Sequence, residues 1–156
     1  MPTNVSLFCV PLAWLIALSP RAYSLATYNH YSKNQAKVDG AHLQTPRTLK
    51  DIAAADASIP ELLRGRIIRA ESASLNGLEN LGFFAAAVVA GNAAELDAEL
   101  LNRLAVTYVV SRAVYNVVFV RNDTKRFVPV KTAVFIVGTA INIVLFVLAG
   151  MRLNVG

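Results

Sequence analysis

This sequence predicts an all-α fold, an integral membrane bundle of four transmembrane helices, and three observations carry that expectation. Hydrophobic residues make up 55% of the chain and charged residues only 16%, a balance that suits lipid better than water. The apolar residues gather into four long segments, near 5–27, 61–90, 100–120 and 128–150. Each is about as long as the roughly 20 residues a helix needs to cross a hydrocarbon core of about 30 Å. The connections Gly91 to Glu99 and Arg121 to Phe127 are short, which makes the last three segments antiparallel neighbours in one bundle.

In the first segment the apolar run from Val5 to Leu18 is short by itself, but Arg21 can snorkel and Ala22, Tyr23, Leu25 and Ala26 continue the helix to the interface. Pro11 is a candidate kink. No basic residue precedes the run, and Pro20 directly follows the one small-residue cleavage pattern, Ala17-Leu18-Ser19, so a retained helix is expected rather than a cleaved signal peptide. Residues 29–60 are polar, with Lys33, Asn34, Lys37, Asp39, Gly40, Pro46 and Asp56, and read as an exposed loop with a short helix near Leu49 to Ala57. The fourth segment opens with Val128-Pro129, and proline is tolerated in a first helical turn.

Orientation follows from the basic residues, which resist translocation when they lie near span ends. The first loop region holds Arg21, Lys33, Lys37, Arg47, Lys50 and Arg64, and the third loop holds Arg121, Lys125 and Arg126. The second loop offers Glu95, Asp97 and Glu99 before Arg103, and the C-terminal tail only Arg152. Both termini are therefore expected to face away from the cytosol, and the loop 29–60 to face it.

The formal charge is +5, yet no basic face is interleaved with exposed aromatics as a nucleic-acid binder requires, so no nucleic-acid partner is expected. Cys9 is the only cysteine, which excludes an intrachain disulfide and a thiolate metal cluster; no metal site is expected. A transporter is the weakest membrane reading, because no span is broken near its middle by paired glycines or prolines.

Ionisable groups at membrane depth are costly and normally face protein or a water-filled cavity. Arg69, Ser72, Asn76 and Glu79 are spaced by three and four residues, so they share one stripe of the second helix, while Glu71 points elsewhere. Tyr108, Arg112, Tyr115 and Phe119 form a stripe on the third helix, and Lys131, Phe135, Gly138 and Asn142 one on the fourth, with Thr132 beside it. At about 1.5 Å per residue, Asn76 lies about 15 Å from Arg66 and Arg112 about 14 Å from Arg121, which puts all three stripes in the cytosolic half. Arginine offers a planar fork for carboxylates, lysine a point charge, and a carboxylate can hold an ammonium, so a small zwitterionic or anionic ligand fits. A structural alternative pairs Glu79 with Arg112 between helices and lets Lys131, Arg66 and Arg69 snorkel. Gly82, Ala86 and Ala90 form a small-residue ladder that permits close helix contact, within the bundle or between subunits.

The string Ala73-Ser-Leu-Asn76-Gly-Leu-Glu79-Asn80, followed by Leu81-Gly-Phe-Phe-Ala-Ala-Ala-Val-Val-Ala90, closely resembles the signature of the membrane-associated proteins in eicosanoid and glutathione metabolism, the MAPEG family. The resemblance runs from about Arg66 to Gly150. It implies a homotrimer in the endoplasmic reticulum or a related membrane, with lumenal termini and glutathione bound between subunits near the cytosolic face. It also implies that Asn76 and Glu79 help hold the tripeptide and that Arg112 and Tyr115 belong to the matching third-helix motif. Where many catalytic members have an arginine beside a serine at the start of the fourth helix, this chain has Lys131 and Thr132. Phe119 and Phe135 stand where eicosanoid-converting members tend to have tyrosine. The basic residue that several members place before the second-helix alanine corresponds to Ser72, with Arg69 about one turn away.

Two functions follow from that resemblance. The first is a microsomal-type glutathione transferase, with peroxidase activity as a variant, that conjugates glutathione to apolar electrophiles arriving from the lipid. Arg112, Lys131 and Thr132 would then favour the thiolate, while Arg69, Ser72, Asn76, Glu79 and Tyr115 hold the tripeptide. The second is a non-catalytic member that presents a lipid or a partner protein.

Overall fold

A computed structural model describes residues 3–33, 48–123 and 128–155. Residues 34–47 of the first loop, among them Lys37 and Arg47, and residues 124–127 of the third, among them Lys125 and Arg126, lie outside it. After a 3₁₀ turn at Ser6–Phe8, the described residues form α1 (Cys9–Tyr31), α2 (Leu49–Ala55), α3 (Glu61–Ala93), α4 (Ala98–Arg121) and α5 (Val128–Val155). Four of the helices are long and apolar enough to cross a membrane, and no strand occurs among the described residues. Large apolar side chains such as Trp14, Leu15, Val110, Ile136 and Val147 cover the outside, as lipid-facing surfaces require. α1 runs along α3, α4 packs on α3 and α5, and α2 caps α3.

The core is built from small residues, which lets the helices approach closely. Cys9, Ala13, Ala87 and Ala105 surround Phe84, Tyr108 and Leu145, and the Phe84 and Tyr108 rings stack 3.8 Å apart at 10°. α1 and α3 come close at Gly77 of α3, where a Cβ would fall within 2.8 Å of the Ala17 Cβ and 3.1 Å of its Cα. The small ladder on α3 is different: nothing lies within 4 Å of a Cβ at Gly82, and Gly82 and Ala86 are exposed. This face is unused by the bundle itself.

The interior proline of α1 is Pro20, whereas Pro11 sits in the first turn, where a missing N–H costs little. Pro20 leaves the Ile16 carbonyl without its helical donor, and the side chains of Asn116 and Ser19 donate to it instead, each at 2.8 Å. The α3–α4 corner closes with Leu96 N–H on the Gly91 carbonyl and Glu95 N–H on Asn92, which places Glu95 in the left-handed region at φ 51°. Asp97 then caps α4 by accepting from Leu100 N–H at 3.0 Å.

A second apolar cluster, Tyr28, Leu49, Ala53, Ile59 and Ile67, seats α2 against α1 and α3. Asp56 pins it by accepting from Ser32 Oγ at 2.6 Å, from Ser58 Oγ and N–H at 2.6 and 2.9 Å, and from the Tyr28 hydroxyl at 3.1 Å. Those bonds, from Ser32 first and Ser58 next, hold its carboxyl well below the usual carboxylate range.

Candidate functional site

The three polar stripes converge. Asn76, Glu79 and Asn80 from α3, Tyr115 and Phe119 from α4, and Lys131, Thr132 and Phe135 from α5 line one open groove of about 370 Å³. Asn76 reaches across the α3–α4 seam, its Nδ2 donating to the Tyr115 hydroxyl at 2.9 Å. Having accepted that bond, the phenol keeps its own proton to donate. Asn80 Nδ2 bonds back to the Asn76 carbonyl at 2.8 Å, which leaves its amide oxygen as an acceptor. Lys131 Nζ lies 4.5 Å over the Phe119 ring, an arrangement that holds an ammonium at the groove wall without a carboxylate.

Glu79 is exposed and makes no hydrogen bond or ion pair among the described residues. It stands on the outward face of α3, one turn from Gly82, where the groove meets the unused small-residue ladder.

Arg112 lies behind the groove. It is 5% exposed, and its Nη2 donates to the Phe135 carbonyl at 3.1 Å. The guanidinium carbon sits 5.1 Å from the Tyr108 ring, 5.5 Å from Tyr115 and 5.4 Å from Phe135. This packing needs Gly138, since a Cβ there would fall 1.7 Å from Nη2. The interhelical Glu79–Arg112 pair of the structural alternative does not form: Glu79 faces outward, whereas Arg112 is enclosed by carbonyls and rings. Arg112 therefore sits behind Tyr115 and Phe135 and does not line the groove.

Two further expected site residues are drawn elsewhere. Arg69 Nε donates to the Val120 carbonyl at 3.1 Å and its Nη2 pairs with Asp123, while Arg66 grips the same carboxylate at 2.6 Å. The Arg66 guanidinium, with Arg69 beside it, holds the Asp123 carboxyl below its usual range. Arg66 and Arg69 thus latch α3 to the end of α4 instead of snorkelling. Ser72 bonds the Ile68 carbonyl at 3.0 Å. Asn80, the last residue of the Asn76-Gly-Leu-Glu79-Asn80 string, lines the groove although the resemblance assigns it no role; its spacing of four from Asn76 is the signal. Asp123 lies past the helix end, beyond any periodicity.

A model of the MAPEG family matches residues 6–151, nearly the whole chain. The chain belongs to the MAPEG family. No individual curated protein and no solved structure matches it. Membership makes this a multi-pass membrane protein of the glutathione and eicosanoid metabolism kind. In this MAPEG chain the groove offers a carboxylate, two amides, an ammonium and two hydroxyls, Thr132 and Tyr115, beside apolar walls. That set suits a small zwitterion lying against an apolar wall.

Proposed function

We propose that the protein is a membrane-bound glutathione transferase acting on apolar electrophiles, with its sites completed between the subunits of a homotrimer. The observation that carries this reading is the convergence of Asn76, Glu79, Tyr115, Lys131 and Thr132 on one groove. Glutathione has two carboxylates and one ammonium; Glu79 takes the ammonium, and the Asn76 and Asn80 amides orient the backbone. The exposed position of Glu79 beside Gly82 and Ala86 supports a second subunit closing the groove, as a small-residue face permits.

Chemically, the thiol proton leaves to water at the cytosolic mouth. Lys131, the Thr132 hydroxyl and the Tyr115 hydroxyl stabilise the sulfur anion, with the Arg112 charge behind them. The thiolate then attacks an electrophilic carbon, forming a C–S bond while the leaving group departs with its electron pair. Lipid-borne substrate enters sideways past Phe119 and Phe135. The reading takes the endoplasmic reticulum or a related membrane as its location, with both termini away from the cytosol.

A non-catalytic scaffold is favoured by two observations: Arg112 faces carbonyls and not the groove, and Phe119 and Phe135 supply no hydroxyl. Conjugation of glutathione to chlorodinitrobenzene by the purified protein separates the two. A transferase turns over, and Lys131→Ala and Thr132→Ala each cost about tenfold or more; a scaffold shows no turnover above the uncatalysed rate.

A further inference from the structure

A second groove, of about 300 Å³, lies between α1 and α4 and away from the glutathione groove. Its polar end is formed by Tyr23, Arg66 and Arg121, and Val117 and Val120 continue its wall toward the bundle exterior. Depth is set by helix length: α3 has 33 residues, about 50 Å, against about 30 Å of hydrocarbon, so its first turns stand in the headgroup region. Arg66 lies in those turns, level with Arg121 at the end of α4, because both it and Arg69 reach Asp123 just beyond that helix.

Three donors are unspent there. Arg66 commits Nε and Nη2 to Asp123, which leaves Nη1 without a hydrogen bond among the described residues. Arg121 and the Tyr23 hydroxyl make no side-chain hydrogen bond among the described residues either, and Arg121 is exposed. Arg66 and Arg69 share the Asp123 carboxylate, Glu61 stands beside Arg69, and Arg121 adds a third guanidinium at the groove, so three cations face two carboxylates and the locality is net positive. Below it Val117, 54% exposed, offers an apolar bed.

We infer that this groove holds an anionic phospholipid, its phosphodiester on Arg121, Arg66 Nη1 and Tyr23, one acyl chain along Val117 and Val120. Charge complementarity selects an anionic over a zwitterionic headgroup, and the apolar wall selects a lipid over free phosphate.

Native mass spectrometry of the protein in neutral detergent, titrated with palmitoyl-oleoyl phosphatidylglycerol and, separately, the phosphatidylcholine of the same chains, tests this. Wild type should retain phosphatidylglycerol with about fivefold or greater preference, and Arg121→Gln should lower that preference about fivefold, one basic residue's share near an anionic surface. Arg103→Gln, at the opposite end of α4 and 76% exposed, should leave it intact, and Val117→Trp should reduce retention of both lipids by filling the acyl bed. Equal retention of the two lipids by wild type, or an unchanged preference in Arg121→Gln, would overturn the inference. So would full competition by glycerol 3-phosphate, which would mark a site for free phosphate.

Discussion

Glu71 and Glu79 sit eight residues apart on α3, about 12 Å along its axis, and meet opposite fates. Glu71 is 4% exposed, takes the Ser24 hydroxyl and lies 3.8 Å from Arg21 across the α1–α3 seam. Glu79 is exposed and has no partner among the described residues. The same division runs through the molecule. Asp56 and Asp123 are saturated by hydroxyls or guanidinium groups, whereas the groove keeps an acceptor carboxylate, a phenol proton and an ammonium uncommitted. Charges that hold helices together are spent inside the chain; those at the groove are left open.

The division between spent and open charges is narrowest at Gly138. Arg112 is structural in its contacts yet adjacent to the groove, so Gly138→Ala, which drives a Cβ into its guanidinium, should cost about 3 kcal/mol of stability and also impair glutathione binding. A thermal-shift assay showing no loss would mean that Arg112 has room to move and does not belong with the fixed charges. Next in size is Glu71→Ala, expected to lower stability by about 1–3 kcal/mol by removing the buried carboxylate that joins Ser24 and Arg21 of α1 to α3, while Glu79→Ala stays within about 0.5 kcal/mol of wild type. Reversal of that order would undo the division.

The two spent aspartates predict the acid limb. Each has its folded carboxyl pKa below the unfolded value, so the stability it adds is complete above the usual carboxylate pKa of about 4 and is lost as pH falls through the depressed folded values. Melting temperature should therefore be flat from neutral pH to about 5 and decline below about 4. In Asp56→Asn the decline should be shallower, and a slope equal to wild type would show that the Ser32 and Ser58 bonds carry no stability. The smallest effect is expected at Tyr115→Phe, which removes one groove hydroxyl and should weaken glutathione about fivefold, with a stability change of about 1 kcal/mol.

Much of this was legible beforehand. Helical spacing alone placed Asn76 with Glu79, Tyr115 with Phe119, and Lys131 with Phe135, and their convergence required only that short loops make neighbours of the three helices. Spacing could not say how far a long side chain turns. Arg112 and Arg69 share their stripes with groove residues yet end on carbonyls, because a guanidinium can reach backbone lone pairs that no sequence pattern records. Nor did periodicity reveal that Asp123, past a helix end, would take two arginines. The spacing of Gly82, Ala86 and Ala90 permits contact inside the bundle or outside it; within the bundle Gly82 meets nothing, and it is Gly77 that packs against Ala17.

Calorimetric titration of glutathione into the purified wild-type protein, Glu79→Gln and Glu71→Gln decides whether the open carboxylate serves the tripeptide. Wild type should bind, Glu79→Gln should bind about tenfold or more weakly through loss of one charge-assisted bond, and Glu71→Gln should keep wild-type affinity despite a lower melting temperature. Absence of binding to wild type, or equal affinity in Glu79→Gln, would contradict the assignment of the open groove to glutathione.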